Sequence, residues 1–410
     1  LGKAHFEPAF DPNFRWRENS MARDGYVGPW RGFERMELAM HGAFNRYHYC
    51  KWLAANYPEE VGFFFPLIKD GWLNEEGGGD TGAPECRYNR IAREHYHTDW
   101  VADRSIAFLD SLDADENWFV WMSFPDPHHP WDPPESAARR INWHDLELPP
   151  GHPGSPEKIV RILAQKPHHW LDWYEGRFSN IEGGPMHFKP AAMTHDQVRE
   201  VNALIHVENE LIDEACGRVL RRIAERGWEQ RTDVFFTTDH GELQGDFGLL
   251  FKGPYHVDAL MRIPLIWRPA PQAATAPAEI SEPVGQLDLA PTFCQIAGVP
   301  IPDWVQGKPL PIAPGSGRER VITEWDSQFE HVDMHLRSIY RDGYTCTVYE
   351  KGATYQGVEG ELYGLREDPM QWRNLWSDAA YAGLKSDLIA DLYDHLPPER
   401  SPKLKAEAPA

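Results

Sequence analysis

Residues 232–256 read TDVFFTTDHGELQGDFGLLFKGPYH, and the fold turns on how this stretch is divided. The run VFF between threonines is short, aromatic and β-branched, the composition of a buried strand rather than of a helix. Apolar residues then stop, and Asp239, His240 and Glu242 follow at once. In an α/β sheet the ligand crevice lies beyond the carboxyl ends of the strands, so side chains that meet a ligand belong here. A carboxylate oxygen and an imidazole nitrogen suit a divalent cation. Asp239 can as well cap the next turn with His240 hydrogen-bonded to it, and the letters DHGE alone leave the two readings balanced. Lys252 follows one loop later, behind the apolar run FGLLF, which should anchor that loop to the body. An ammonium held near a cation is repelled unless an anion lies between them, so the arrangement fits a clamp around an oxyanion.

Working outward, NWFVWMSF (117–124) is a second run of buried-strand type. Between the two runs, 195–227 carries Val198, Val201, Leu204, Ile205, Val207, Leu211, Ile212, Cys216, Val219, Leu220 and Ile223 at spacings near 3 and 4, and ends at Gly227. That is one long amphipathic helix with a glycine stop. A second helix, 97–112, leads into the first strand. Helix then strand, twice, predicts an α/β fold in which helices flank a mixed, largely parallel sheet. The Pro-, His-, Trp- and Gly-rich stretch 125–195 reads as long loops walling a site. Trp131, Trp143, Trp170 and Trp173 within it are candidates for stacking on sugar or aryl rings, or for loop anchors. After Pro314 the pattern becomes strands, turns and one amphipathic helix. The expected organisation is a catalytic α/β domain over 1–315, a small C-terminal α+β subdomain of antiparallel sheet plus helix over 316–402, and a loose tail over 403–410.

The 410 residues carry a formal charge of −22, which argues against binding nucleic acid or an anionic membrane over a broad surface. Small anionic substrates stay open, because a few Lys and His can make one pocket positive. With 41% hydrophobic and 25% charged residues the composition is that of a soluble globular protein. No apolar run approaches the roughly 20 residues that span a bilayer. Five scattered cysteines without a CxxC pair form neither a disulfide framework nor a zinc site. Composition sets neither the compartment, cytoplasmic or periplasmic/secreted, nor the oligomeric state.

Several blocks in order resemble the sulfatases, of the alkaline-phosphatase-like superfamily. The block 235–267 resembles their "DHGE…G…K…RVPLI" element, GKAHF (2–6) their "GKxH", and WMSFPDPHHPWDPP (121–134) their "PHxP". QLDLAPTFCQIAGVPIPDWVQGKPL (286–310) is similar to "DLxPTLLxLAGxxxPxxxxGxSL", and the 341–375 region to the closing "ELYDLxxDPxExxNL". The resemblance spans nearly the whole chain.

It implies that Asp239 and His240 bind a divalent cation, Ca²⁺ by the family habit, with Mn²⁺ or Mg²⁺ as alternatives. It implies that Lys3 and Lys252 hold sulfate oxygens. It implies that His5 acts on the nucleophile's spare hydroxyl and that His128 protonates the departing alcohol. The substrate would be a small-molecule or carbohydrate sulfate ester. Tyr255 and His256 match no family role and read as structural. The family nucleophile is a formylglycine made from Cys or Ser in (C/S)xPSR, ahead of GKxH, and no such motif occurs here. CRYNR (86–90) has Cys and Arg at the right separation but lacks Pro and Ser and falls on the wrong side of GKxH. The expectation is an N-terminally truncated sulfatase, with the nucleophile and further metal-binding Asp residues on a missing segment and this chain alone inactive. Two alternatives stand beside it: a phosphonate or phosphodiester hydrolase of the same superfamily, which His240 keeps open, and a non-catalytic anion- or metal-binding homologue.

Overall fold

A computed structural model describes residues 1–4, 6–7, 16–42, 46–65, 77–177, 188–329 and 332–398. The long helix forms over His195–Glu225, roughly 46 Å at 1.5 Å per residue. Thr194 starts it with a reciprocal box: its hydroxyl accepts from Gln197 N, and the Gln197 side chain accepts from Thr194 N. The apolar stripe is buried from Val198 to Ile223, except that Leu220 faces solvent and Cys216 is half-buried. The helix His97–Asp110 packs beside it, Ala102 and Leu109 against Ala215, Val219 and Ile223.

The segment 117–124 is extended, with strand-like alternation. Trp118, Val120, Met122 and Phe124 pack inward, while Phe119 and Trp121 are exposed. The outer face is covered only in part, by Phe33 and Phe293 on Phe119, and not fully as expected of a buried strand. Its pairing is parallel and brief. Leu1–Lys3 lies between 121–123 and 37–39: Lys3 N donates to Ser123 O (3.0 Å) and Ser123 N to Leu1 O (2.9 Å), while Gly2 N donates to Glu37 O (2.9 Å) and Ala39 N to Gly2 O (3.1 Å). Both bridges at Gly2 are parallel. Gly2 sits at φ 100°, and a Cβ there would stand 1.7 Å from Ser123 O, so the three backbones close up only around a glycine.

The continuous ladders among the described residues are antiparallel. β1 (Val234–Thr237) pairs with β2 (Leu265–Arg268), Phe236 opposite Ile266. At the C-terminal end, β3 (Arg320–Phe329), β4 (Val332–Arg341), β5 (Tyr344–Tyr349) and β6 (Gly360–Gly364) form a meander in sequence order. The helix Ala382–His395 covers it, Leu388 and Leu392 on Ile339, Cys346 and Leu362. The architecture is the mixed α/β arrangement expected from the resemblance, with brief parallel contacts beside Lys3 and an antiparallel pair, β1–β2, leading to Asp239.

The described residues of 125–195 are more ordered than a set of loops. They include the helices Pro156–Leu163 and His169–Tyr174. Trp131, Trp170 and Trp173 are fully buried core residues, so they are anchors and present no face to a ligand. Trp143 is half-buried and donates its indole N–H to Asp80 (3.2 Å). No helix among the described residues is long and apolar enough to cross a membrane.

Candidate active site

Five chain segments deliver the site, and four of them do so at or just past the carboxyl end of an extended stretch. Lys3 ends 1–3, His41 follows 37–39, His128 follows 121–123, and Asp239 and His240 follow β1. The rule that singled out Asp239 in the sequence thus applies to all four.

Lys3 Nζ donates to Asp239 Oδ2 at 3.2 Å; the Lys3 side chain is nearly buried while Asp239 is open. Although 58% of the Asp239 side chain is exposed, partial desolvation by the surrounding chain pushes the carboxyl up, but Lys3 and His240 outweigh it and hold the group well below the ordinary carboxylate range. Gln286, which carried no signal of its own, fixes this strand end by donating Nε2 to the carbonyls of Thr238 (2.8 Å) and Asp239 (2.9 Å).

Lys252 reaches the same place from the other side. Leu249, Leu250 and Phe251 are fully buried, and the Phe251 ring stacks on Trp131 (5.6 Å, 9°), the anchoring expected of FGLLF. Phe251 takes φ 68°, a backbone state costly for an aromatic residue, immediately before the lysine. Lys252 Nζ lies 2.7 Å from His128 Nε2. His128 Nδ1 donates to the His129 carbonyl at 2.6 Å, so Nε2 is the bare acceptor and the ammonium donates to it. Burial, then Lys252, His129, His41 and Lys3, push the His128 imidazole well below its usual range. The protonated His128 expected from the chemistry is therefore a neutral imidazole in this arrangement. The cause is desolvation among like charges.

The two halves meet edge to face: the His128 and His240 rings are 6.2 Å apart. His240 is likewise depressed, by burial and Lys252 against the opposing pull of Asp239. Lys3, His128, Asp239, His240 and Lys252 thus share one locus. His5 lies outside the described residues. His41, which matched no motif, stacks on His128 at 4.3 Å; its place after the run MELAM (36–40) was the available signal.

The donor set for a cation is partial. His240 Nδ1 donates to Gly241 O (2.8 Å), leaving Nε2 as an acceptor 3.7 Å from Asp239 Oδ2, two lone-pair atoms facing each other. Ca²⁺ takes six to eight oxygen ligands. Among the described residues no group of three or more His, Cys, Asp or Glu side chains can hold a metal, and Asp239 already carries the Lys3 ammonium. These residues alone do not make a complete cation site. Cys86 is buried, its thiol pushed well up by burial, which suits a core residue and not a nucleophile.

A sulfatase family model matches residues 16–299, more than half of the chain. The chain belongs to the sulfatase family. A model described as the C-terminal region of N-sulphoglucosamine sulphohydrolase matches residues 245–396 of this chain. It is 27% identical over 340 residues to the uncharacterized sulfatase YidJ of Escherichia coli K12, covering 81% of this chain and 61% of that protein. It is 26% identical over 393 residues to an arylsulfatase of Clostridium perfringens, covering 93% and 71%. An N-acetylglucosamine-6-O-sulfatase of Bacteroides thetaiotaomicron is 23% identical over 348 residues, covering 73% and 61%. Among solved structures, the phosphonate monoester hydrolase of Agrobacterium radiobacter superposes with a TM-score of 0.72 at 21% identity, over 94% of this chain and 75% of that one. That likeness shows the fold. The chain spans 61% of the length of YidJ and of the Bacteroides enzyme.

Proposed function

We propose that the protein hydrolyses sulfate esters, with Lys3 and Lys252 holding the sulfuryl oxygens and His128 protonating the leaving oxygen. The observation that carries this reading is the Lys252–His128 contact at 2.7 Å beside the Lys3–Asp239 pair: two ammonium groups from distant parts of the chain aimed at one locus. A sulfate monoester presents one negative charge spread over its non-bridging oxygens, and cleavage of the S–O bond moves charge to the bridging oxygen. An oxyanion in the clamp competes with His128 Nε2 for the Lys252 N–H groups. Its charge also favours the imidazolium, so the anion frees the nitrogen and raises its affinity for a proton together. Nε2 takes up a proton from solvent once freed, and passes it to the bridging oxygen as the alcohol leaves. The net reaction consumes one water and yields the alcohol and hydrogen sulfate.

The nucleophile is proposed to be the formylglycine of the sulfatase pattern, from outside the described residues, and a divalent cation at Asp239 and His240 would need further ligands. By the names of the relatives, aryl and amino-sugar sulfates are the substrate classes to try first. The alternative of phosphonate ester hydrolysis is favoured by one residue, His240. The test is turnover of 4-nitrophenyl sulfate against a 4-nitrophenyl phosphonate ester by protein expressed from the whole reading frame. Preference for the sulfate supports the proposal, preference for the phosphonate replaces it with the alternative, and binding of either without turnover favours a non-catalytic anion binder.

A further inference from the structure

His128 is the middle member of a stack of three imidazoles. Its ring lies 4.3 Å from that of His41 at 23° between planes, and 4.3 Å from that of His129 at 20°. Both outer residues are buried, His41 at 7% exposure and His129 at 2%. His129 is fixed independently of His128: its Nδ1 is paired with the Glu85 carboxylate, and its ring meets the edge of Phe251 at 4.7 Å. His41 is fixed from the other side, following a segment whose Ala39 N bonds to Gly2 O at 3.1 Å.

The edges of the His128 ring are already committed, Nδ1 to the His129 carbonyl and Nε2 toward Lys252. Two edge contacts fix the direction in which Nε2 points but leave the ring able to tilt about the line between them. A planar group on each face removes that tilt. His129 supplies one face and would remain if the other were lost. His41 supplies the second, and it stands on the same three-segment backbone frame that carries Lys3.

We propose that His41 is a positioning residue: it closes the second face of a slot that holds the His128 ring in plane, so that Nε2 meets the leaving oxygen of a substrate gripped by Lys3 and Lys252. This rests on the sulfate-ester reading above. It assigns His41 no contact with the substrate, and its effect passes through His128.

The experiment compares His41→Ala with His41→Phe and His41→Gln, two planar replacements, in protein from the whole reading frame. For His41→Ala the expected result is a fall in kcat of roughly 10- to 100-fold, the range a misplaced reacting group produces, with KM within about twofold. At least one planar variant should recover most of that loss. A raised KM with unchanged kcat overturns the proposal by making His41 a substrate contact, and equal loss in all three variants overturns it by making the imidazole itself the requirement. The ring-proton resonances of His128 separate this from failure of the proposed reaction. Removal of the His41 ring should shift them through loss of its ring current, and the Phe variant should return a ring-current shift, whether or not sulfate turns over. Resonances that do not move in His41→Ala overturn the stack.

Discussion

Lys252 donates to His128 Nε2 at 2.7 Å, so the ammonium occupies the edge of the imidazole that the proposed proton transfer needs. The contact makes the two residues interdependent. Lys252→Met should lower kcat/KM by about 10²- to 10³-fold, the size of losing one charge-stabilising donor. His128→Ala should cost about 10²- to 10⁴-fold on an alkyl sulfate and markedly less on 4-nitrophenyl sulfate, whose leaving group needs no proton. Equal losses on both esters would remove His128 from the role of acid.

Anion binding by the clamp is measurable without turnover. Inorganic sulfate should raise the melting temperature relative to chloride at equal ionic strength, by about 1.4 kcal/mol of added stability at tenfold over its dissociation constant. Lys3→Met should abolish that difference while leaving the chloride baseline close to wild type, since its ion pair is with an exposed carboxylate. A sulfate effect that survives in the variant would place the anion elsewhere.

With Asp239 Oδ2 and His240 Nε2 3.7 Å apart and no third ligand among the described residues, weak Ca²⁺ binding is the expected outcome. A chelator should therefore leave the melting temperature of residues 1–410 unchanged, and calorimetric titration with Ca²⁺ should show no tight site. A fall of several degrees on chelation would reveal further ligands.

His256 gives a pH prediction with a definite sign. It is buried against the C-terminal meander, Nδ1 on Ser338 Oγ at 2.6 Å, and burial first, then Arg337, lowers its imidazole from 6.5 to about 4. Between those values the unfolded chain binds a proton that the folded chain does not, so stability rises with pH across the window and falls on acidification from 6.5 toward 4. A shift of this size corresponds to about 3 kcal/mol. Denaturant titrations of His256→Asn against wild type should show the variant losing less stability over that interval. Parallel pH curves would show that His256 is not buried as a neutral ring.

Much of this was legible because the signals are local. The 3.6-residue periodicity of Val198 to Ile223, the strand end before Asp239 and the anchoring run before Lys252 need only neighbours in the chain to be read. His41 and Gln286 were missed because their importance arises from partners 87 and 47 residues away. The tryptophans of 125–195 left two readings open for a related reason. An indole in a Pro- and Gly-rich stretch looks the same in sequence whether it closes a core, as Trp131 does on Phe251, or faces a ligand. The helix–strand alternation pointed to a mixed, largely parallel sheet, and the extent of each pairing is a separate matter: 117–124 meets Leu1–Lys3 only around Ser123. Hydrogen-bond register is a tertiary property that alternation alone does not fix.

The closeness of Gly2 to Ser123 makes one missing methyl group the gauge that sets the spacing of this centre. Alanine at position 2 would wedge the first segment away from its neighbour, carrying the Lys3 ammonium off Asp239 and pulling the support of His41 with it. Damage to catalysis would then come from a residue with no functional group at all.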